Sequence, residues 1–414
     1  MKYEATPISE IIDEIAMGPF GSNIKVECFV ESGIPVLNGS NVDGIKLCED
    51  SFRYITKEKA DTLGRANASR GDIVITHRGT LGQIAYIPLS SQFDRYVISQ
   101  SQFRMKCNSK AIPEYVVYYF HSREGRHQIL SNKSQVGVPA LGRPTSTFQN
   151  LTIPLPTIKQ QMKIVATLSC LDDKIELNNK INANLEAQAQ AIFKSWFVDF
   201  EPFQNGDFVD SELGRIPKGW QVGKLSDIAE ITMGQSPKGD SYNENGEGIV
   251  FYQGRGEFSN RFPVTRLYTT EPKRMAKKND ILMSVRAPVG DVNIAKEDCC
   301  IGRGLAAIRS NSNHSSFLLY LVFNMKAKLD TYNGEGTVFG SINKKDLHGM
   351  KIVIPQTETI NEYENIVQSV DKKIFILCQQ NQVLAALRDA LLPKLMSREI
   401  EVPISDEETN ENHD

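Results

Sequence analysis

The chain has 414 residues, with 47 Lys and Arg against 50 Asp and Glu and a formal net charge of −3. That length accommodates two domains with cores of their own. No apolar run reaches about 18 residues and no charged-then-apolar leader opens the chain, so membrane and secreted classes are set aside and a cytoplasmic protein is expected.

The first 156 residues read as a mixed α and β head. A helical patch over Ser9 to Ala16 runs into Gly18, and polar, small-residue loops follow. The stretch Asp72-Ile73-Val74-Ile75-Thr76-His77-Arg78-Gly79-Thr80-Leu81-Gly82 predicts a strand, a tight turn carrying an arginine, and a return strand. A short helix over Pro113 to Phe120, a glycine-rich loop, and a strand from Leu151 to Pro156 complete this half.

Residues 157–200 keep a seven-residue repeat. Ile164, Leu171, Asn178, Leu185 and Ile192 fall in one core position, and Leu168, Ile175, Asn182, Ala189 and Trp196 in the other. Residues 201–223 are rich in Pro, Gly and Asp and predict a linker. A second head follows over 224–355. It has a helical patch from Ser226 to Ile231 running into Gly234, an arginine turn within Asp280 to Gly290, a helix from Ser316 to Met325 and a strand from Met350 to Pro355.

Residues 356–398 repeat the seam, with Val370, Leu377, Leu384 and Leu391 in one position and Val367, Ile374, Asn381, Arg388 and Leu395 in the other. Pro393 is expected to kink or restart this helix, because it lacks an amide proton. Residues 399–414 hold seven acids and no Lys or Arg and predict a disordered tail. Without that tail the balance is 47 bases to 43 acids, so the folded part can carry a basic face.

The two halves are one design written twice. Leu171-Asp172-Asp173-Lys174-Ile175 matches Val370-Asp371-Lys372-Lys373-Ile374 at an offset of 199, and Asn182, Leu185 and Ala191 match Asn381, Leu384 and Ala390 at the same offset. The heads correspond more loosely, through Met17-Gly18 with Met233-Gly234. Each helix has an apolar stripe that it cannot bury alone, which predicts that the two pack on each other. The alternative is that each lies against its own head. Antiparallel packing pairs Ile175 with Leu384, Leu185 with Ile374 and Asn178 with Asn381. A buried asparagine layer penalises shifted registers, so Asn178, Asn182 and Asn381 are the expected register keys. A strut of this length, on the order of 55 Å at about 1.5 Å per residue, suits two heads held about one DNA turn apart, roughly 34 Å.

No phosphate-binding G-x-x-x-x-G-K-[ST], Rossmann G-x-G-x-x-G, H-E-x-x-H or cysteine–histidine zinc spacing occurs. The six histidines are isolated, and His77 reads as a turn or core histidine more readily than as a general base. The seven cysteines form no C-x-x-C pair and read as reduced structural thiols. A nuclease or methyltransferase acting in its own right therefore lacks its parts.

Several longer strings resemble one family. They are Ile153-Pro154-Leu155-Pro156 followed by Gln160-Gln161, then Phe193-Lys194-Ser195-Trp196-Phe197-Val198-Asp199-Phe200-Glu201-Pro202-Phe203, then Leu213-Gly214-Arg215-Ile216-Pro217-Lys218-Gly219-Trp220, and finally Leu387-Arg388-Asp389-Ala390-Leu391-Leu392-Pro393-Lys394-Leu395-Met396. The chain resembles the specificity subunits of Type I restriction–modification systems over nearly all its length. The resemblance implies an α+β fold: two pseudo-repeated mixed α/β target-recognition domains joined by two long helices packed as an antiparallel coiled coil. It implies double-stranded DNA as ligand, each head reading one half of a bipartite, asymmetric site. It also implies two methyltransferase subunits and, through the complex, motor-nuclease subunits as partners. No cofactor is then expected on this chain, with S-adenosylmethionine, ATP and Mg on the partners. The second copy departs from the pattern in lacking the Gln-Gln pair before its helix, where Thr359-Ile360 stand.

Candidate DNA contacts follow from residue chemistry. Arg78 and Arg286 sit at corresponding turns and suit a guanine edge or a phosphate; an arginine common to both copies equally suits a scaffold bond. Lys25, Asn38, Gln135 and Arg143 in the first head, and Lys238, Gln253, Arg255 and Thr337 in the second, lie in polar, glycine-rich loops. A protein-interaction scaffold that binds no DNA is the competing reading, and charge alone does not separate the two.

Overall fold

The computed structural model describes residues 3–134, 138–334 and 340–402. The chain divides into two compact units, one of residues 1–176 with 381–414 and the other of residues 177–380. Each unit thus contains one head together with half of each long helix.

In the first unit, the core of the head is a four-stranded antiparallel sheet in the order Ile12–Met17, Gln102–Cys107, Ile73–Thr76, Ile84–Tyr86. Its central strand is apolar on both faces because both are covered. Ile73 and Ile75 face the cluster that includes Ile164 and Leu168 of the first long helix, while Val74 faces a second cluster with Leu37, Tyr96 and Ile98. The period of two along a strand makes this division. Beyond lies a five-stranded sheet in which Ile34–Val36 runs parallel to Arg95–Val97.

The second unit repeats this topology strand for strand. Its core sheet runs Ala229–Met233, Leu305–Ser310, Ile281–Ser284, Val292–Ile294, and its five-stranded sheet again contains one parallel pair, Ile249–Tyr252 with Cys299–Ile301. Ile281 and Met283 face the helix side, and Leu282 the other. The expected arginine turns are present, with Ile75 pairing Ile84 on one hairpin and Met283 pairing Val292 on the other.

The helical patches expected at the head openings are shorter than predicted. Only Ile8–Ile11 and Leu225–Ile228 are helical, and each passes into a strand, Ile12–Met17 and Ala229–Met233. Pairing along Gln102–Cys107 and Leu305–Ser310 outweighs a weak local helix preference. The expected linker 201–223 is also ordered. It forms the hairpin Phe208–Ser211 with Gly214–Pro217, and then Gln221–Lys224, which pairs with Lys351–Ile354. Ile216 and Trp220 are buried there, with Trp220 edge-on to Phe200 and Phe203.

The long helices span Ile158–Phe197 and Thr357–Met396. Within each unit their halves run antiparallel. In the first, Ile164 and Leu168 share a cluster with Leu392 and Leu395, and Arg388 Nη1 donates to Asp172 at 2.7 Å. In the second, Asn182 Nδ2 donates to Cys378 Sγ at 3.4 Å, and the buried Tyr363 hydroxyl to the Ala189 carbonyl at 3.4 Å. Burial of each such Leu or Ile stabilises by about 1.5–3 kcal/mol.

Asn178 is fully buried, and its amide donates to Gln380, the neighbour in sequence of Asn381, at 3.0 Å. Toward its end the first helix buries Phe193 and Phe197 more deeply than the heptad residues Ile192 and Trp196, because the second head covers that face. Pro393 does not restart the second helix, which continues through it to Met396. One amide bond is lost within a turn of the helix end, where the buried Leu392, Leu395 and Met396 hold the backbone. Most of the acidic tail, residues 403–414, lies outside the described residues.

Among the described residues, no helix is long and apolar enough to cross a membrane, and no cluster of His, Cys, Asp and Glu has the make-up of a metal site.

Candidate nucleic-acid interface

Each head is fixed to the helices by a tyrosine on the repeated Asp. Tyr118 Oη donates to Asp172 at 2.6 Å, and Tyr320 Oη to Asp371 at 2.9 Å. The cations on these carboxylates differ. In the second unit Arg261, only 5% exposed, bonds both Asp371 and Glu186 and lies over the Tyr320 ring at 5.8 Å. Burial disfavours the Arg261 charge, but Asp371, Tyr320 and Glu186 outweigh it and raise its pKa; burial pushes the Glu186 carboxyl up. In the first unit the helix itself supplies Arg388, and the half-buried Lys46 of the head binds Asp173 at 2.6 Å and Glu176 at 3.3 Å. This buried wiring explains why the Asp of the repeated motif stands in both copies.

The Gln-Gln departure is resolved in the same region. Gln161 is wholly buried; its amide donates to the Lys110 and Pro156 carbonyls at 2.9 Å, and its oxygen accepts from Ile112 N at 3.0 Å. In the second copy Glu364 serves the head helix instead, accepting from Ser316 N and Phe317 N at 3.0 and 2.9 Å. A carboxylate one turn further along thus caps Ser315–Asn324.

The polar loops at the turns carry the candidates, and they fall into matched pairs. Lys25 and Lys238 each precede a single helical turn that leads into the first strand of the five-stranded sheet. Asn38 and Gln253 each stand two residues beyond the residue that opens the parallel strand pairing, Val36 and Phe251. Arg78 and Arg286 form equivalent backbone bridges, to Ala140 and Ser341. All six are exposed, as are Arg143 and Arg255.

Their engagement differs. The Asn38 oxygen is taken up in capping its own turn, accepting from Ser40 N at 2.8 Å. Lys25 lies 3.6 Å from Glu27, and Arg255 is ion-paired with Asp291, which Lys326 also binds at 3.1 Å. Those two cations hold the Asp291 carboxyl below the usual carboxylate range despite its partial burial. Arg143 takes a left-handed backbone at the start of Pro144–Gln149. Gln135 and Thr337 lie outside the described residues. In the second head Gln253, Arg255 and Arg286 line one hollow of about 400 Å³ together with Arg303, which sequence reasoning missed. Its signal was the Gly302-Arg303-Gly304 triplet, an arginine set between two glycines.

His77 packs beside Phe103 and bonds the Gln100 carbonyl at 3.2 Å, and desolvation pulls its pKa down. It is a turn histidine, and among the described residues no nucleophile or carboxylate is bonded to it. Burial pushes the Cys107 and Cys299 thiols up to about 12, as expected of structural cysteines, whereas Cys170 is exposed on the first long helix.

Two equivalent α+β heads, each presenting polar turns and gripping one half of a shared antiparallel helix pair, define a duplicated recognition protein. Residues 25–187 and 217–386 both match the Type I restriction modification DNA specificity domain, and the chain belongs to that family. It is 29% identical over 405 residues to the putative type I restriction enzyme MjaX specificity subunit of Methanocaldococcus jannaschii, covering 97% of this chain and 94% of that protein. It is 30% identical over 371 residues to the MjaIX specificity subunit of the same organism, covering 84% and 82%. The crystal structure of a Type-I restriction-modification system S subunit from M. genitalium shares the fold, with a TM-score of 0.54, 16% identity and 96% of both chains covered.

Proposed function

We infer that this chain is the DNA-reading subunit of a Type I restriction–modification complex, each head reading one half of a bipartite site and the helices setting the gap between halves. The observation that carries the reading is the duplication itself. The scaffold of the two heads agrees strand for strand while some exposed turn residues differ, Asn38 against Gln253 among them, which suits two different half-sites read from one frame. Two methyltransferase subunits would dock on the repeated helical parts, and motor-nuclease subunits would join through them. S-adenosylmethionine, ATP and Mg would act on those partners, so that adenine methylation and cleavage are their chemistry.

Modified-base sequencing of DNA from cells expressing the chain with its methyltransferase partner tests this, against cells expressing the partner alone. A new bipartite motif carrying N6-methyladenine in its halves is the expected result. Co-purification of the two proteins without any motif would instead support a protein scaffold that reads no DNA.

A further inference from the structure

The two heads carry the same arginine at one position and different side chains at others. The match between them is set by backbone packing. A Cβ on Gly18 would meet the Ser99 carbonyl oxygen at 1.9 Å, and one on Gly234 would meet that of Gly302 at 2.1 Å. The next residue along is Gln100 in the first head and Arg303 in the second, and both are exposed. The arginine turns supply the constant element, since Arg78 and Arg286 make the same bridge to the segment leaving the glycine-rich loop.

Phosphates are alike in every half-site, so a side chain that grips one has no reason to change between heads, whereas one that reads a base does. Among the described residues neither Arg286 nor Arg303 has a carboxylate within ion-pair distance, in contrast to Arg255, which Asp291 holds. Arg303 Nε donates to Ser236 Oγ at 3.4 Å. The loop presenting Arg303 is tightly seated: a Cβ at Gly302 or Gly304 would lie 2.6 or 3.1 Å from the Gln253 carbonyl oxygen. In the first head Gln100 occupies the space beside Gly21 that a Cβ would fill, its Oε1 lying 2.1 Å from that position.

We propose that Arg303 reads a guanine in the half-site of the second head, that Gln100 reads an adenine at the matching step of the first, and that Arg78 and Arg286 grip phosphate. The chemistry of the pairs supports this division. A guanidinium fork matches guanine O6 and N7, and a carboxamide matches adenine N6 and N7. The proposal rests on the DNA-reading function above and adds which base each head selects.

The test is modified-base sequencing of DNA methylated by the complex of this chain with its methyltransferase partner, with wild-type chain, Arg303→Gln, Arg303→Lys and Arg286→Gln. A salt series of binding to a duplex bearing the wild-type motif accompanies it. Expected for Arg303→Gln is a motif in which one guanine of one half is relaxed or replaced by adenine, its discrimination reduced on the order of ten- to a hundredfold, and for Arg303→Lys a smaller loss at that same guanine, with the other half and the gap intact in both. The intact half-site also shows that the variant chain is folded. Arg286→Gln should leave the motif unchanged and flatten the salt slope by about one. The division is overturned if Arg303→Gln keeps the whole motif and only weakens binding, if Arg303→Lys changes a position other than that guanine, or if the motif changes with Arg286→Gln. A wild-type complex that writes no motif overturns the DNA-reading function as well, and the two failures are thereby told apart.

Discussion

His121 and His77 of the first head are held below the ordinary histidine range, chiefly by desolvation. His121 Nε2 sits 2.8 Å from the Ile84 carbonyl; Arg126 and Arg388 add repulsion against a protonated ring, and Asp172 opposes them. The unfolded chain takes up a proton near the ordinary value, about 6.5, that the folded head refuses, so the unfolded state is favoured as pH falls. Stability of the first head is therefore full above that value and declines as pH drops through it toward the lowered folded values. Thermal unfolding followed from pH 7.5 to 5.5 should show a falling midpoint, and His121→Gln, which keeps an amide donor for Ile84, should reduce the slope. An equal slope in the variant would show that His121 is not a source of it.

At the scale of the element, the buried Arg261 ties the second head to both helices at once. Removing it would leave Glu186 and Asp371 desolvated and facing the same space. Arg261→Met should cost about 3–5 kcal/mol, because breaking one side of a buried ionic cluster strands the rest. Tyr320→Phe, which removes one hydrogen bond to a charged group, should cost about 1.5–3 kcal/mol. Denaturant unfolding of the purified chain measures both, and a loss below 1 kcal/mol for Arg261→Met would mean that water replaces the guanidinium freely. The seam between the helices explains the register. Its layers were legible because a seven-residue repeat leaves only one stripe to bury, and the hydrogen-bonded pairs Asn178 with Gln380 and Asn182 with Cys378 fall within one residue of the layers the repeat predicts. The bond from Asn178 to Gln380 was not legible, since Gln380 reaches into the layer from an exposed helix position.

For the whole molecule, the helices are 40 residues each, and their repeat makes the heptad the natural unit of length. Deleting one heptad from the first long helix should shorten the preferred gap between half-sites or abolish assembly, while both half-sites stay as they were. Sequencing of the methylated motif reads the outcome directly. A changed half-site with the old gap would separate the helices from the ruler function. The same reasoning assigns base choice to the heads alone, where Arg303 and Gln100 differ on a shared frame.

Duplication, the paired helices and the arginine turns were all present in the sequence, because periodicity and repeated motifs report which surfaces must be buried. The paired candidates Arg78 and Arg286 were visible for a related reason, since glycine and proline mark where a chain turns, whereas the correspondence of Lys25 with Lys238 came from the fold. Local pattern misread one kind of segment and said little about the order of another, because distant partners set both conformations. Ile12–Met17 became a strand through its pairing with Gln102–Cys107, and the Pro- and Gly-rich stretch before the second head became ordered around Trp220. Arg303 needed the fold most, because its neighbours Gln253 and Arg286 in the hollow lie 50 and 17 residues away in the chain. Sequence alone determined that there are two heads on a repeated pair of helices. Only the tertiary structure decided which side chains share a surface, because that depends on strand pairing between segments with no common local signal.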